Sequence, residues 1–184
     1  NNVYLVIIHN FNEINAMAKK DSNDLLNFLK PFPEETQQLV LWLRNFAWDA
    51  CPGANELIYD NYNALAIGWS LTDRVTHTIC SIAAYRAGTN VHFGFYWGSQ
   101  VSDTKKMLLG SGSQYRYILV RDKESFPVVY ITGLIHEAHV NALAKIKDEK
   151  QVKHGLTIIK SVSGNKREPA KTKALPKTKT AKKV

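Results

Sequence analysis

VHFGFYWGSQVSDTKKMLLGSGSQYRYILV, residues Val91 to Val120, decides how the rest of the chain is read. Its opening alternates, with Val91, Phe93, Phe95 and Trp97 on one side and His92, Gly94 and Tyr96 on the other. Period-two alternation of this kind marks a half-buried strand. Gly98-Ser99 makes a turn. A short amphipathic segment, Asp103 to Leu109, and the run Gly110-Ser111-Gly112-Ser113 then lead into a second alternating stretch, Tyr115 to Val120. Two strands therefore flank a glycine-rich loop.

Working outward, Thr76 to Tyr85 is rich in Thr, Ile and Ala and ends at Arg86-Ala87-Gly88-Thr89-Asn90. The Gly and Asn suit a hairpin, so this run should pair antiparallel with Val91 to Trp97. Ala64 to Leu71 reads as the strand before it, giving four strands in one meander. Upstream, Asp21-Ser22-Asn23-Asp24 offers capping side chains to a helix carrying Leu25, Leu26, Phe28 and Leu29, and Pro31 and Pro33 stop it. Glu34-Glu35 suit the positive end of a second helix, whose apolar stripe is Leu39, Val40, Leu43, Phe46, Ala47 and Ala50. Cys51-Pro52-Gly53 ends it, and Asn55 to Tyr62 is expected to form a third, short helix. Pro127 precedes a long helical pattern through Ile131, Leu134, Ile135, Ala138, Leu143 and Ile146, and Gly155 to Ser161 reads as a final strand or an arm. Segregated helices and antiparallel strands predict an α+β two-layer sandwich, a four- to five-stranded antiparallel meander sheet packed by flanking helices.

The chain has 184 residues, 45% hydrophobic and 22% charged, which describes one ordinary domain with tails. Its net charge of +8 is nearly all local: Asn165 to Val184 holds eight Lys/Arg against one Glu, a net +7. Two cysteines without CxxC spacing make no disulfide scaffold and fit a reduced cytoplasm, with a bacterial origin taken as the prior expectation. No apolar run approaches the roughly 20 residues of a membrane helix. Met17-Ala18-Lys19-Lys20 resembles an ordinary amino terminus, so residues 1–20 are read as a leader or non-native extension, with a leading edge strand at Val3 to Ile8 as the alternative. The domain is placed at 21–162 and a disordered basic tail at 163–184.

Several blocks together carry a resemblance. Glu56-Leu57-Ile58-Tyr59-Asp60-Asn61-Tyr62-Asn63-Ala64 leads into Ile67-Gly68-Trp69. Tyr96-Trp97-Gly98 runs to Val101-x-Asp103, and Leu108-Leu109-Gly110-Ser111-Gly112 precedes Tyr115-Arg116-Tyr117-Ile118. From about Leu39 to Ala144 the chain resembles the YdhG-like domain family of unknown function. Many members differ in having Met-Pro near Asn61-Tyr62, Pro at Thr104, Lys at Ser113 and His at Tyr117. The resemblance implies a compact α+β fold with some frataxin-like character and, for some members, a role as an intracellular iron chaperone.

The residues also nominate sites. Gly110 and Gly112 can present backbone N–H groups to an anion, with Arg116 and Lys105 or Lys106 supplying charge; the competing reading gives both glycines to turning and Arg116 to a strand-face ion pair. A P-loop is excluded, because the Gly-Lys-Ser/Thr spacing is missing. Tyr59, Tyr62, Tyr96, Trp97 and Trp69 can line an apolar pocket with polar edges, or be core. The expected ligand site is thus Tyr59, Tyr62, Tyr96, Trp97, Gly110, Gly112 and Arg116, taking a small anion without catalysis.

His136-Glu137-Ala138-His139 puts two histidines on one helix face, but it is not the HExxH zinc motif and has no third ligand fixed by sequence. Oxygen ligands for iron would come from Asp21, Asp24, Glu34, Glu35, Glu56 and Asp60, which are scattered and partly claimed by capping. No Gly-x-Ser-x-Gly elbow, Cys-His context or paired carboxylates offer a start for catalysis. No cofactor or oligomeric state is specified. The last candidate is nonspecific nucleic-acid binding through the tail cations Lys166, Arg167, Lys171, Lys173, Lys177, Lys179, Lys182 and Lys183.

Overall fold

The computed structural model describes residues 23–88 and 90–168. Three helices are found there: α1 (Asn23–Leu29), α2 (Glu34–Ala50) and α3 (Val128–Leu143). Six strands accompany them: β1 (Asn55–Asp60), β2 (Ala64–Ser70), β3 (Thr78–Tyr85), β4 (Val91–Phe95), β5 (Arg116–Val120) and β6 (Thr157–Val162). The strands form one sheet in the order β5-β4-β3-β2-β1-β6. Strands β1 to β5 make the expected antiparallel meander. The sheet is nonetheless mixed, because β6 returns after α3 to lie parallel to β1 at the far edge.

Asn55 to Asp60 is a strand and not the expected helix. The period-two pattern there is disguised, since Glu56 and Asp60 share the core-facing side with Ile58. Glu56 is fully buried and holds Arg44 of α2 through two hydrogen bonds, of 2.5 and 3.0 Å. Thr157 of β6 donates a third, at 2.9 Å. Asp60 is paired with Arg86 and, at 2.7 Å, with Lys166. A carboxylate is tolerated in such a place only when its acceptor sites are filled in this way.

Register explains the core. Ile58, Ile67, Ile82, Phe93 and Ile118 stand opposite one another across β1 to β5. Together with Leu65, Trp69 and Phe95 they face the buried stripes of the helices, Leu25 and Leu29, then Leu39, Leu43 and Ala47, then Ile131, Leu134 and Ile135. Phe46 packs edge-on against Phe93 at 5.7 Å and Phe126 at 5.0 Å, and Trp48 against Trp69 at 6.2 Å. Each buried ring of this kind contributes roughly 1.5–3 kcal/mol. The two cysteines are reduced and buried in the same layer, Sγ to Sγ 3.8 Å.

The opposite face carries no described helix. Its positions read Leu57, Gly68, Ser81, Gly94 and Tyr117 in one row and Tyr59, Ala66, Ala83, His92 and Leu119 in the next. Among the described residues, no helix is long and apolar enough to cross a membrane.

Candidate functional site

Between β4 and β5 the chain makes a long excursion, 96–115, whose hub is Asp103. The amides of Met107 and Leu108 donate to its two carboxylate oxygens at 3.0 and 2.8 Å, and the Tyr130 hydroxyl of α3 donates at 2.6 Å. Partial burial pushes the Asp103 pKa up, but these three donors and the Arg116 charge outweigh it, so the net shift is downward. A second anchor lies one residue earlier: the Ser102 amide and hydroxyl both donate to Glu137 of α3, at 2.8 Å each. Asn141 of the same helix and Lys145, just beyond its end, reach Gln100, at 2.9 and 2.6 Å. One face of α3 therefore holds residues 100–105 of the loop.

The loop closes on β5 by direct approach. Gly98 donates to Gln114 at 2.6 Å and sits against the side chain and backbone of Arg116, where a Cβ would collide. Leu109 and Tyr117 exchange hydrogen bonds across an isolated bridge. What remains open is a cleft of about 320 Å³ lined by Gly98, Ser99, Val101, Asp103, Lys106, Leu108 and Arg116. Arg116 Nε donates to the Gly112 carbonyl at 3.0 Å, which fixes the guanidinium plane. Its terminal amino groups have no partner among the described residues. Lys106 has a left-handed backbone, φ 52°, and is the one non-glycine residue in that region among those described. A conformation of this kind costs of order 1–3 kcal/mol and persists only where its surroundings impose it. The cleft presents two cations, Lys106 and Arg116, beside the ionised Asp103 carboxylate, which is taken up by three donors.

The residues expected to make one pocket fall in three places. Arg116 lines the cleft against Gly98, which was not among the expected residues, and Trp97 precedes that glycine; the Trp97 indole donates to the Thr76 carbonyl at 2.9 Å and carries the Lys145 ammonium 5.3 Å above its ring. Gly110 turns the loop with φ 101°, whereas Gly112 is not left-handed and contributes its carbonyl to Arg116. Tyr59 and Tyr96 lie on the helix-free face. Tyr62 is at the β1–β2 turn, half exposed and three strands away from the loop. Of the two lysines, Lys106 lines the cleft and Lys105 lies 5.0 Å from the Tyr130 ring.

Ser99, Val101 and Leu108 are not among the site residues the sequence nominates, and Tyr130 and Glu137 gave no sign of anchoring a loop some 30 residues away. Glu137 sits inside the His136–His139 motif, whose His139 is held below the ordinary imidazole value by burial and by His136. Among the described residues, no three His, Cys, Asp or Glu side chains converge as metal ligands. Glu56 and Asp60, weighed as oxygen donors, are taken up by Arg44 and by Arg86 with Lys166. Lys166 and Arg167 continue the domain past 162, since Arg167 donates from its backbone to Tyr62 at 2.9 Å and from its side chain to Asn63 at 3.3 Å. Val3 to Ile8, Met17, Asp21 and the six lysines from Lys171 onward lie outside the described residues. The fold defines an α+β domain with a long loop anchored to α3 and β5. No family model, curated protein or solved structure matches this chain.

Proposed function

We propose that this is a non-enzymatic binding domain, YdhG-like in kind, whose cleft beside the glycine-rich loop takes a small anion. One observation carries the reading. Arg116 is fixed through Nε while its terminal amino groups stay unpartnered, and it shares the cleft with Lys106. A guanidinium held in one plane binds a carboxylate or phosphate through two parallel N–H donors, and pre-orientation reduces the ordering cost of binding. The loop geometry supports it, because the bonds from α3 hold the rim in place before any ligand arrives.

Inorganic phosphate is a suitable probe, followed through amide NMR shifts. Saturable shifts at Gly98, Ser99 and Lys106 are expected, and they should vanish in Arg116→Ala. Shifts that avoid the cleft, or that persist unchanged in that variant, overturn the reading.

A further inference from the structure

The two edges of the sheet are finished differently. At the β5 edge the loop returns, and Leu109 bridges Tyr117. At the other edge β6 pairs with β1 on one side and with no described strand on the other. The ladder between them shows which backbone groups are left over. The Glu56 amide donates to the Leu156 carbonyl at 2.7 Å and the Ser163 amide to the Asp60 carbonyl at 2.8 Å, while Glu56 stands level with Thr157 and Asp60 with Val162. In a parallel ladder this phase turns alternate residues of β6 toward β1 and the others away. Thr157, Ile159 and Val162 are the ones turned away. Their N–H and C=O groups form a row without a partner among the described residues, which is a template for one more strand.

Side chains along that row set the chemistry of what fits it. Ile159 and Val162 stand level with Ile58 and Asp60 on the helix side of the sheet, yet they lie beyond the cover of the helices, 41% and 57% exposed. From Lys150 to Arg167 the chain carries five Lys/Arg and no Asp or Glu, although Asp148, Glu149 and Glu168 bracket the run. Asp73 offsets Lys153 at 3.1 Å and Asp60 offsets Lys166 at 2.7 Å. Lys150, Lys160 and Arg167 have no such carboxylate: Lys160 reaches the Asp73 backbone carbonyl, and Arg167 the Asn63 side chain. Lys160 is also the extra residue where the β6 register shifts against Ile58 and Tyr59. A second copy would bring the same cationic edge against this one, and like charges set opposite one another destabilise strand pairing. An acidic strand meets the opposite situation.

We propose that the free edge of β6 takes an extended acidic segment of a partner protein, which adds to the sheet as a further strand. Main-chain hydrogen bonds to Thr157, Ile159 and Val162 supply affinity, and alternate side chains of the segment supply specificity. Apolar ones cover Ile159 and Val162, and carboxylates face Lys150, Lys160 and Arg167. The Arg116 cleft borders β5, at the opposite edge of the sheet, so this surface is independent of the anion reading.

The test uses the full chain and a blocked eight-residue peptide that alternates valine and glutamate, with lysine in place of glutamate in the control. The acidic peptide should give saturable NMR shifts and slowed hydrogen exchange at the Thr157, Ile159 and Val162 amides. The lysine control should bind roughly tenfold or more weakly. Ile159→Pro should leave the β1–β6 ladder intact, because the Ile159 N–H does not serve it, and should lose roughly tenfold or more in affinity. If that variant does not fold, Lys160→Glu decides, with an expected loss of roughly tenfold for the acidic peptide. Shifts that avoid those three amides, equal affinity for the two peptides, or an unchanged affinity in Lys160→Glu overturn the proposal. Amides at the three positions that are already protected before peptide is added would show the edge taken by a second copy or by another part of the chain, and overturn it as well.

Discussion

The imidazole of His92 is stacked 3.8 Å from the ring of Tyr117 and 4.6 Å from that of Tyr85. Burial between these rings lowers its pKa below the ordinary 6.5. His77 and His139 are also lowered, each chiefly by burial. In the unfolded chain these groups take up a proton near the ordinary value, while the folded chain resists until lower pH. The unfolded state then binds more protons, so stability is full above about pH 6.5 and declines as pH falls through the folded values. The Tm should drop between about pH 6.5 and 5, and His92→Phe should remove part of that drop. An identical pH profile in the variant would contradict the assignment.

Gly98 and Gly112 look alike in the sequence and differ in the fold. A methyl group at Gly98 meets Arg116, including its backbone nitrogen, while one at Gly112 meets nothing within 4 Å. Gly98→Ala should destabilise by about 1–3 kcal/mol, from overpacking against β5. Gly112→Ala should change stability by less than about 0.5 kcal/mol. Urea denaturation of both variants checks the contrast.

The strands of the meander were legible because Val91 to Phe95 and Arg116 to Val120 alternate cleanly, and the hairpin after Tyr85 has its turn residues. β1 was not legible, because its core-facing carboxylates are matched by Arg44 and Arg86, whose nearness no local pattern reveals. The parallel pairing of β6 with β1 joins residues about a hundred positions apart, and periodicity carries no register over that distance. Arg116 and the loop could be nominated from composition. That Tyr59 and Tyr62 sit far from them depends on strand order, and Glu137 as an anchor depends on where α3 docks.

Glu56 tests the buried pair. Glu56→Ala removes the carboxylate that Arg44 and Thr157 hydrogen-bond, and breaking a buried ion pair from one side costs about 3–5 kcal/mol. Equilibrium unfolding should show a loss of that size. A loss under about 1 kcal/mol would show that the pair is dispensable.

Asp103 tests the loop. Asp103→Ala removes the acceptor for Tyr130, Met107 and Leu108, so the 103–108 segment should exchange its amide hydrogens faster while the sheet stays protected. Phosphate affinity should fall at the same time, although the substitution removes a negative charge. Tighter phosphate binding would show that electrostatics, and not rim geometry, governs the cleft.

Native mass spectrometry of the protein isolated from the cells that make it tests the proposed anion binding at the cleft most directly. The chain should retain a small anionic mass, and Arg116→Ala, with a Tm within a few degrees of the parent, should lose it. An unaltered chain that carries no such mass, or a variant that carries it equally, would contradict the assignment of the cleft.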